Sequence, residues 1–284
     1  MNENKNQTRK RESRTSTPLK IAVHGAAGKM GRALARVIAD TPNVTQVSGV
    51  DHKNHDLIGK DIGAIAGLEI SGVLLTSELE SALSLADVVV DFSLPEAMSP
   101  LLECVSSTAL PLISGTTGVA RKSLEFMQSV STKVPIVFSP NMSIAMNVLF
   151  ALTQKATRAL GDSYDAEIIE WHHRYKEDAP SGTALQLGKE IALARGQDLQ
   201  EVGKFARHGR IGPRKANEIG ITAVRGGNIV GEHTVLFAGP NERLELSHRV
   251  TSRENFAHGA LFAAKWAIKQ KAGLYSMQNV LGLK

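Results

Sequence analysis

A short apolar segment that runs directly into a glycine-punctuated turn constrains this chain more than any other feature. Residues 19–24 (LKIAVH) read as a strand, Gly25-Ala26-Ala27-Gly28-Lys29-Met30-Gly31 as the turn, and residues 32–39 as a helix. Gly25 permits the sharp bend, Gly28 removes a Cβ where backbone must approach an anion, and Gly31 lets the helix close onto the strand. The first N–H groups of such a helix have no carbonyl partners and lie at the positive end of its dipole, so they suit a pyrophosphate. A second strand over 44–50 ends at Asp51, 20 residues beyond Gly31, where a carboxylate can accept hydrogen bonds from ribose hydroxyls. By itself the glycine turn is equally an ordinary strand-to-helix bend. The order strand, turn, helix, strand, acid favours a dinucleotide site. An acid at Asp51 repels a 2′-phosphate; His52 is no arginine clamp, and Lys53 is the one cation that could offset it. NADH is therefore expected to serve at least as well as NADPH.

Strand and helix patterns then alternate. Residues 87–92 (DVVVDF) are a continuous apolar run suited to a strand buried on both faces. A helix over 95–106, a strand over 111–114, a helix over 120–131 and a strand over 135–139 follow. This alternation implies an α/β fold with a doubly wound parallel sheet. Ligands of such sheets sit beyond the carboxyl ends of the strands. That location makes Gly115-Thr116-Thr117-Gly118 and Ser139-Pro140-Asn141-Met142 candidates for the nicotinamide or a substrate edge, although the threonines also read as simple turn caps. After Asn141 the rhythm changes. Helices are expected over 145–160 and 181–195, and strands over 166–172, 218–225, 229–238 and 242–250. The last strand alternates as an antiparallel sheet with one wet face does. A helix over 255–270 and a short tail complete the chain. Two domains are expected, a nucleotide-binding one and an α+β one after Asn141.

Composition excludes several classes. At 42% apolar and 21% charged residues, the chain is not disordered throughout. No apolar run approaches the ~20 residues of a membrane span, and the segment 144–152 is interrupted by Asn147. A single cysteine, Cys104, forbids an intrachain disulfide and any cysteine-rich zinc module, so a cytoplasmic setting is expected. The net charge of +5 sits largely in residues 1–18, where Lys5, Arg9, Lys10, Arg11 and Arg14 face only Glu3 and Glu12. That segment reads as a disordered arm with no secretory or organelle signal. The near-neutral remainder argues against nucleic acid and is compatible with a local basic pocket for an acidic small molecule.

The most distinctive segment is Glu170-Trp171-His172-His173-Arg174-Tyr175-Lys176-Glu177-Asp178-Ala179-Pro180-Ser181-Gly182-Thr183. His is the natural proton donor near neutral pH. Lys176, beside Arg174 and two histidines, sits in a cationic neighbourhood that favours release of its proton. Ser181-Gly182-Thr183 opens a helix whose N–H groups can bind a carboxylate. The pattern suits an anionic substrate that must be protonated, although a solvated histidine pair followed by an N-capping serine has the same appearance. Adjacent histidines on a strand point to opposite faces and do not chelate one metal; the polar loop 52–55 is isolated, so no metal site is expected.

Together these motifs resemble the dihydrodipicolinate reductase family from residue 19 to the C-terminus. The Glu170–Thr183 run carries the resemblance most specifically. GAAGKMG, DFS, GTTG, the Asn141 segment, Arg225-Gly226 and Gly231-Glu232-His233-Thr234 agree in order and spacing. The resemblance implies a Rossmann-like nucleotide domain (19–140 with 253–284) and a substrate-binding, tetramerisation domain (141–252). It implies NADH- or NADPH-dependent reduction of a cyclic dicarboxylate, 4-hydroxy-tetrahydrodipicolinate, in lysine and diaminopimelate biosynthesis, by a cytoplasmic homotetramer. His172 matches the family's proton donor/acceptor and Lys176 a proton donor. His173, Gly182 and Thr183 match substrate contacts. Gly25, Ala26, Ala27, Gly28, Lys29, Met30, Asp51, Gly115, Thr116, Thr117, Ser139, Pro140, Asn141 and Met142 match dinucleotide contacts. His52 departs from the arginine of some members. Another NAD(P)-dependent dehydrogenase of amino-acid metabolism with the same first domain, such as one acting on an amino-acid semialdehyde, is the alternative the Glu170–Thr183 run argues against; a dinucleotide sensor whose arm meets nucleic acid is the alternative the near-neutral body argues against.

Overall fold

The structure is a computed structural model and describes residues 17–283. The arm expected over 1–18 lies outside the described residues except for Thr17 and Pro18. Apolar strands buried on both faces demand helices on both sides, and the first half of the chain supplies them in alternation. It contains β1 (Leu19–His24), α1 (Lys29–Ala39), β2 (Val44–Val50), α2 (Ile62–Ala66), β3 (Leu75–Thr76), α3 (Leu79–Leu83), β4 (Val88–Asp91), α4 (Met98–Thr108), β5 (Leu112–Ser114), α5 (Arg121–Val130) and β6 (Pro135–Phe138). Then come α6 (Ile144–Leu160), β7 (Asp165–His172), α7 (Gly182–Ala194), α8 (Leu199–Val202), β8 (Gly203–Lys204), β9 (Ile219–Arg225), β10 (Gly231–Ala238) and β11 (Arg243–Val250). The chain ends with α9 (Glu254–Ala267), β12 (Gly273–Tyr275) and α10 (Met277–Val280).

The first sheet is parallel throughout, in the order β12-β6-β5-β4-β1-β2-β3. The period of two divides its residues cleanly. Ile21, Val23, Val88, Val90, Ile113 and Val137 face α1 and α9, whereas Ala22, Val89, Leu112 and Ile136 face α4 and α5. Strand order reverses between β1 and β4, so the crevice of this sheet opens beyond His24 and Asp91. The C-terminal segment expected as a plain tail instead supplies β12, which pairs with β6, and α10. Elements of two to five residues, such as β3, β12, α2 and α3, are too short to show a period in the sequence.

The second sheet runs β11-β10-β7-β9-β8. It is mixed rather than antiparallel. β10 pairs antiparallel with β7 and β11, but β9 pairs parallel with β7. The helical crossover through α7 returns the chain in the same direction, as parallel pairing requires. One face carries Ala166, Ile168, Ile219, Ile221, Val235 and Phe237 against α6 and α7. Asn147, which breaks the apolar run of α6, is buried, and its amide donates to the carbonyls of Asn141 (2.9 Å) and Ser143 (2.8 Å). Among the described residues no helix is long and apolar enough to cross a membrane.

Candidate active site

The turn after β1 is pinned to the end of β2. The Gly25 and Ala26 N–H groups donate to the Val50 carbonyl at 2.9 and 3.1 Å, and Ala27 N–H donates to Asp51 Oδ2 at 3.0 Å. Gly25 takes φ +77°, and a Cβ at Gly31 would sit 2.3 Å from the Gly25 carbonyl oxygen, so both positions need glycine. The helix starts at Lys29, three residues earlier than its apolar pattern suggests, with Gly28 as an N-cap that offers no side-chain acceptor. The N–H groups of Lys29, Met30 and Gly31 thus face the crevice without intrahelical carbonyls. A Cβ at Gly28 would meet only the Gly25 oxygen, at 3.3 Å. Asp51 Oδ1 accepts from His52 N–H at 2.9 Å, and each carboxylate oxygen retains a lone pair. A cavity of about 420 Å3 lies here, lined by Gly25, Gly28, Asp51, His52, Lys53 and Phe92 among others. Uncapped helix donors, an open cradle at Gly28 and a carboxylate beside a cavity fit a dinucleotide.

The loop 52–55 is less isolated than its sequence suggests, because Asp51, His52 and His55 bring ligand atoms within 4.8 Å of one another. His55 Nδ1, however, accepts from Leu57 N–H at 3.1 Å. In the neutral ring its other nitrogen then carries the proton, which opposes metal binding.

Beside the crevice, Asp91 is wholly buried. Its Oδ1 meets His24 Nδ1 (3.0 Å) and accepts from Ser93 Oγ (2.5 Å); its Oδ2 accepts from Ser114 Oγ and Thr116 Oγ1, both at 2.7 Å. Burial pushes this carboxyl up, but His24 and the hydroxyl donors outweigh burial and keep it below its ordinary value. The Thr116 hydroxyl is committed to this buried tie, while Thr117 lines a second cavity. In the sequence DFS reads only as a strand end; the one signal of this network is an acid within an apolar run.

The second cavity, about 770 Å3, lies where the two sheets approach one another. Thr117, Ser139 and Asn141 line it from the first sheet, and His172, Lys176 and Gly182 from the segment after β7. Asn141 Nδ2 donates to Thr183 Oγ1 at 3.2 Å and so joins the two sides. Met142 is buried in the core and offers only its backbone to this edge. Ser276 and Gln278, from the segment read as a tail, also line the cavity. Glu190, largely buried, lines it beside Lys189 and accepts from the amides of Gln154 and of Gln186 (2.6 Å).

Ser181 caps α7 by accepting from Ala184 N–H at 3.1 Å, which leaves the Gly182 and Thr183 N–H groups as the exposed donors of the first turn. A Cβ at Gly182 would meet nothing within 4 Å, so the protein's own packing does not demand that glycine. His172 Nδ1 lies 2.5 Å from Glu170 Oε2, and Lys176 Nζ donates to Asp178 Oδ1 at 2.7 Å. The cationic neighbourhood expected for Lys176 therefore includes an anion, Asp178, in direct contact with it. His173 does not line this cavity; its Nδ1 is buried without a hydrogen-bond partner.

Glu170 is fully buried. Burial acts to raise its carboxyl, but hydrogen bonds from His172, Arg225 and Ser181 N–H prevail and bring it to about 2. His233 opposes Glu170 across β10 and β7, and its Nε2 lies 3.0 Å from Ser181 Oγ. Burial first, then repulsion by His172, takes His233 from its ordinary 6.5 to about 3, so it is neutral in the folded protein. Between those two values the unfolded chain binds a proton that the folded chain refuses, and stability therefore rises with pH, by up to ~1.4 kcal/mol per unit. Acidification below about 6.5 should lower the unfolding midpoint, and His233→Gln should flatten that dependence. Thermal unfolding of both proteins near neutrality and near pH ~5 tests this. An equal drop in the variant would remove His233 from the account.

Comparison with known proteins finds matches over most of the chain. A family model described as "Dihydrodipicolinate reductase, N-terminus" matches residues 19–142, and one described as "Dihydrodipicolinate reductase, C-terminus" matches residues 145–281. A 4-hydroxy-tetrahydrodipicolinate reductase of Syntrophobacter fumaroxidans is 47% identical over 266 residues, covering 94% of this chain and 100% of that protein. One from Alkalilimnicola ehrlichii is 45% identical over 264 residues, covering 93% and 99%. Among solved structures, the dipicolinate-bound dihydrodipicolinate reductase of Paenisporosarcina sp. TG-14 aligns with a TM-score of 0.74 at 23% identity, over 92% of this chain and 99% of that one. A probable dehydrogenase from Thermotoga maritima aligns with a TM-score of 0.57 at 11% identity, over 93% of each chain. These two structures share the fold.

Proposed function

The chain belongs to the dihydrodipicolinate reductase family, and from that membership we propose that it reduces 4-hydroxy-tetrahydrodipicolinate to tetrahydrodipicolinate with NADH or NADPH, in lysine and diaminopimelate biosynthesis. The observation that carries the proposal is the single cavity lined both by the strand-end loops of the first sheet and by the His172–Thr183 segment. As proposed, one wall of the cavity is a dinucleotide edge and the other an anion cradle. In this reading residues 19–140 and 253–284 hold the dinucleotide, and residues 141–252 hold the substrate.

When bound, a reduced dinucleotide would supply the hydride; the substrate's 4-hydroxyl leaves as water, so that one hydride and one proton balance the conversion. The protein's part is to place the substrate and to complete the reduction with a proton. The N–H groups of Gly182 and Thr183 grip one carboxylate of the substrate at the start of α7; the substrate contact expected of His173 would need its ring, which does not line the cavity, to turn towards it. Lys176 balances substrate charge and stands as a proton donor. His172, with Nδ1 occupied by Glu170, exchanges a proton through Nε2 with the electron-rich ring carbon that reduction creates. Gly25 to Met30, Asp51, Gly115 to Thr117 and the backbone of Ser139 to Met142 form the dinucleotide side.

The proposal includes a cytoplasmic homotetramer built through the second sheet's other face. Strand alternation puts Ile169, Trp171, Thr222, Val224 and Leu236 on the side away from α6 and α7. An apolar patch of this kind supports self-association. Sedimentation velocity tests it; a monomer at micromolar concentration removes this part.

Turnover is tested by loss of reduced-nicotinamide absorbance while dihydrodipicolinate synthase generates the substrate in the same cuvette. Oxidation of the cofactor only when the synthase is active supports the reading, and its absence defeats it. Because Asp51 faces the ribose side, kcat/KM with NADH should equal or exceed that with NADPH. A strong NADPH preference would show that Lys53 or another cation dominates the 2′ position.

A further inference from the structure

We infer that Glu170 and Arg225 form a buried positioning pair that orients His172 directly and Lys176 through Asp178. The inference rests on the proposed roles of His172 and Lys176 and names two residues those roles require. Glu170 lies on β7, two residues before His172 and on the same face of the sheet; Arg225 ends β9 in register with His172. The guanidinium grips the carboxylate as a fork, with Nη1 to Oε2 and Nη2 to Oε1 both at 2.8 Å. Ser181 N–H donates to Oε1 at 3.0 Å and His172 Nδ1 meets Oε2 at 2.5 Å. One fully buried carboxylate therefore touches the proton-exchanging ring and the start of the carboxylate cradle together.

Arg225 extends the tie. Its Nη2 also donates to the Asp178 carbonyl at 2.6 Å, and the Asp178 carboxylate accepts from Lys176 Nζ at 2.7 Å. A planar fork fixes both the distance and the plane of its partner, which a lysine's point charge does not. A carboxylate held in that way fixes the ring's orientation and its tautomer, so that Nε2 is the exchanging atom. Neither Glu170 nor Arg225 lines the cavity, so both act through other residues. The groups facing His172 are Glu170 on its own strand, Arg225 on β9, His233 on β10 with ring centroids 5.2 Å apart, and Lys176 with Asp178 in the following loop. Of these, Glu170 alone is in direct anionic contact with the ring.

The test compares kcat and KM for the full-length protein, Glu170→Gln and Arg225→Lys, with NADH affinity measured by fluorescence. Glu170→Gln should lower kcat ~10- to 100-fold with KM within about threefold, because the ring stays in place but loses the carboxylate that orients it. NADH affinity should stay within about twofold, since neither residue touches the dinucleotide side. Arg225→Lys should lower kcat by ~10-fold, because the charge remains and the fork is lost. A loss in Glu170→Gln that falls on KM or on NADH affinity rather than on kcat reduces the pair to scaffolding and overturns the inference. So does kcat within about twofold of the parent in both variants. Should Glu170→Gln not fold, nitrogen NMR of histidine-labelled parent protein decides, with His172→Gln identifying the resonance. The Nδ1–H tautomer of the neutral ring is expected, and the Nε2–H tautomer overturns the inference. A parent enzyme that never oxidises cofactor with substrate defeats the proposed function instead, and the NMR readout remains independent of that failure.

Discussion

His172→Gln and Lys176→Ala should each lower kcat by ~10²-fold or more, the usual cost of removing a general acid. His172 and Lys176 line the same cavity as the anion cradle, and no other histidine among the described residues does so. The two losses should differ in kind. His172→Gln should act on kcat with little change in KM. Lys176→Ala should also raise KM, because it removes a cation that the dicarboxylate substrate meets. Combined, the changes should cost less than the sum of their separate costs if, as proposed, the pair works on one proton transfer. Steady-state kinetics with enzymatically generated substrate reads all of this. Turnover near the parent value in both single variants would end the assignment.

The largest effect on stability should come from Asp91→Ala. The carboxylate is wholly buried and takes donors from four side chains, so its loss strands the buried His24 and the hydroxyls of Ser114 and Thr116. Removing one partner from such a network costs about 3–5 kcal/mol. For a chain of this length that corresponds to a fall in Tm of roughly 5–8 °C. NADH affinity should weaken as well, because Thr116 ties the GTTG loop to Asp91. Calorimetry and fluorescence titration measure the two effects. A variant that melts within ~1 °C of the parent would mean that His24 and the hydroxyls find other partners.

Much of the nucleotide side is legible in the residues themselves. The bounds of β1 and β2 agree with the apolar pattern residue for residue, and the core alternation of β4 follows from its run of valines. Local chemistry accounts for this, because a turn that needs glycine at Gly25 and Gly31 and a helix that begins without a side-chain cap are written in contiguous residues. The same holds for Ser181, whose capping of α7 needs only three residues. Pairing between distant segments is not legible in this way. Glu170 has the appearance of an ordinary strand acid, and only the fold brings Arg225, 55 residues on, to grip it. Asp91 has the appearance of a strand end until Thr116 and His24 close on it. Ser276 and Gln278 lie in an apparent tail, yet they line the cavity.

Contiguous residues therefore settle which segments turn, cap and bury themselves, and which side chains could handle an anion and a proton. The folded arrangement settles which of those side chains meet, which carboxylates are buried, and that β7 and β9 run parallel. The reason is range: backbone conformation and capping are decided within a few residues, whereas a buried charge is stabilised only by donors that the chain brings back from elsewhere.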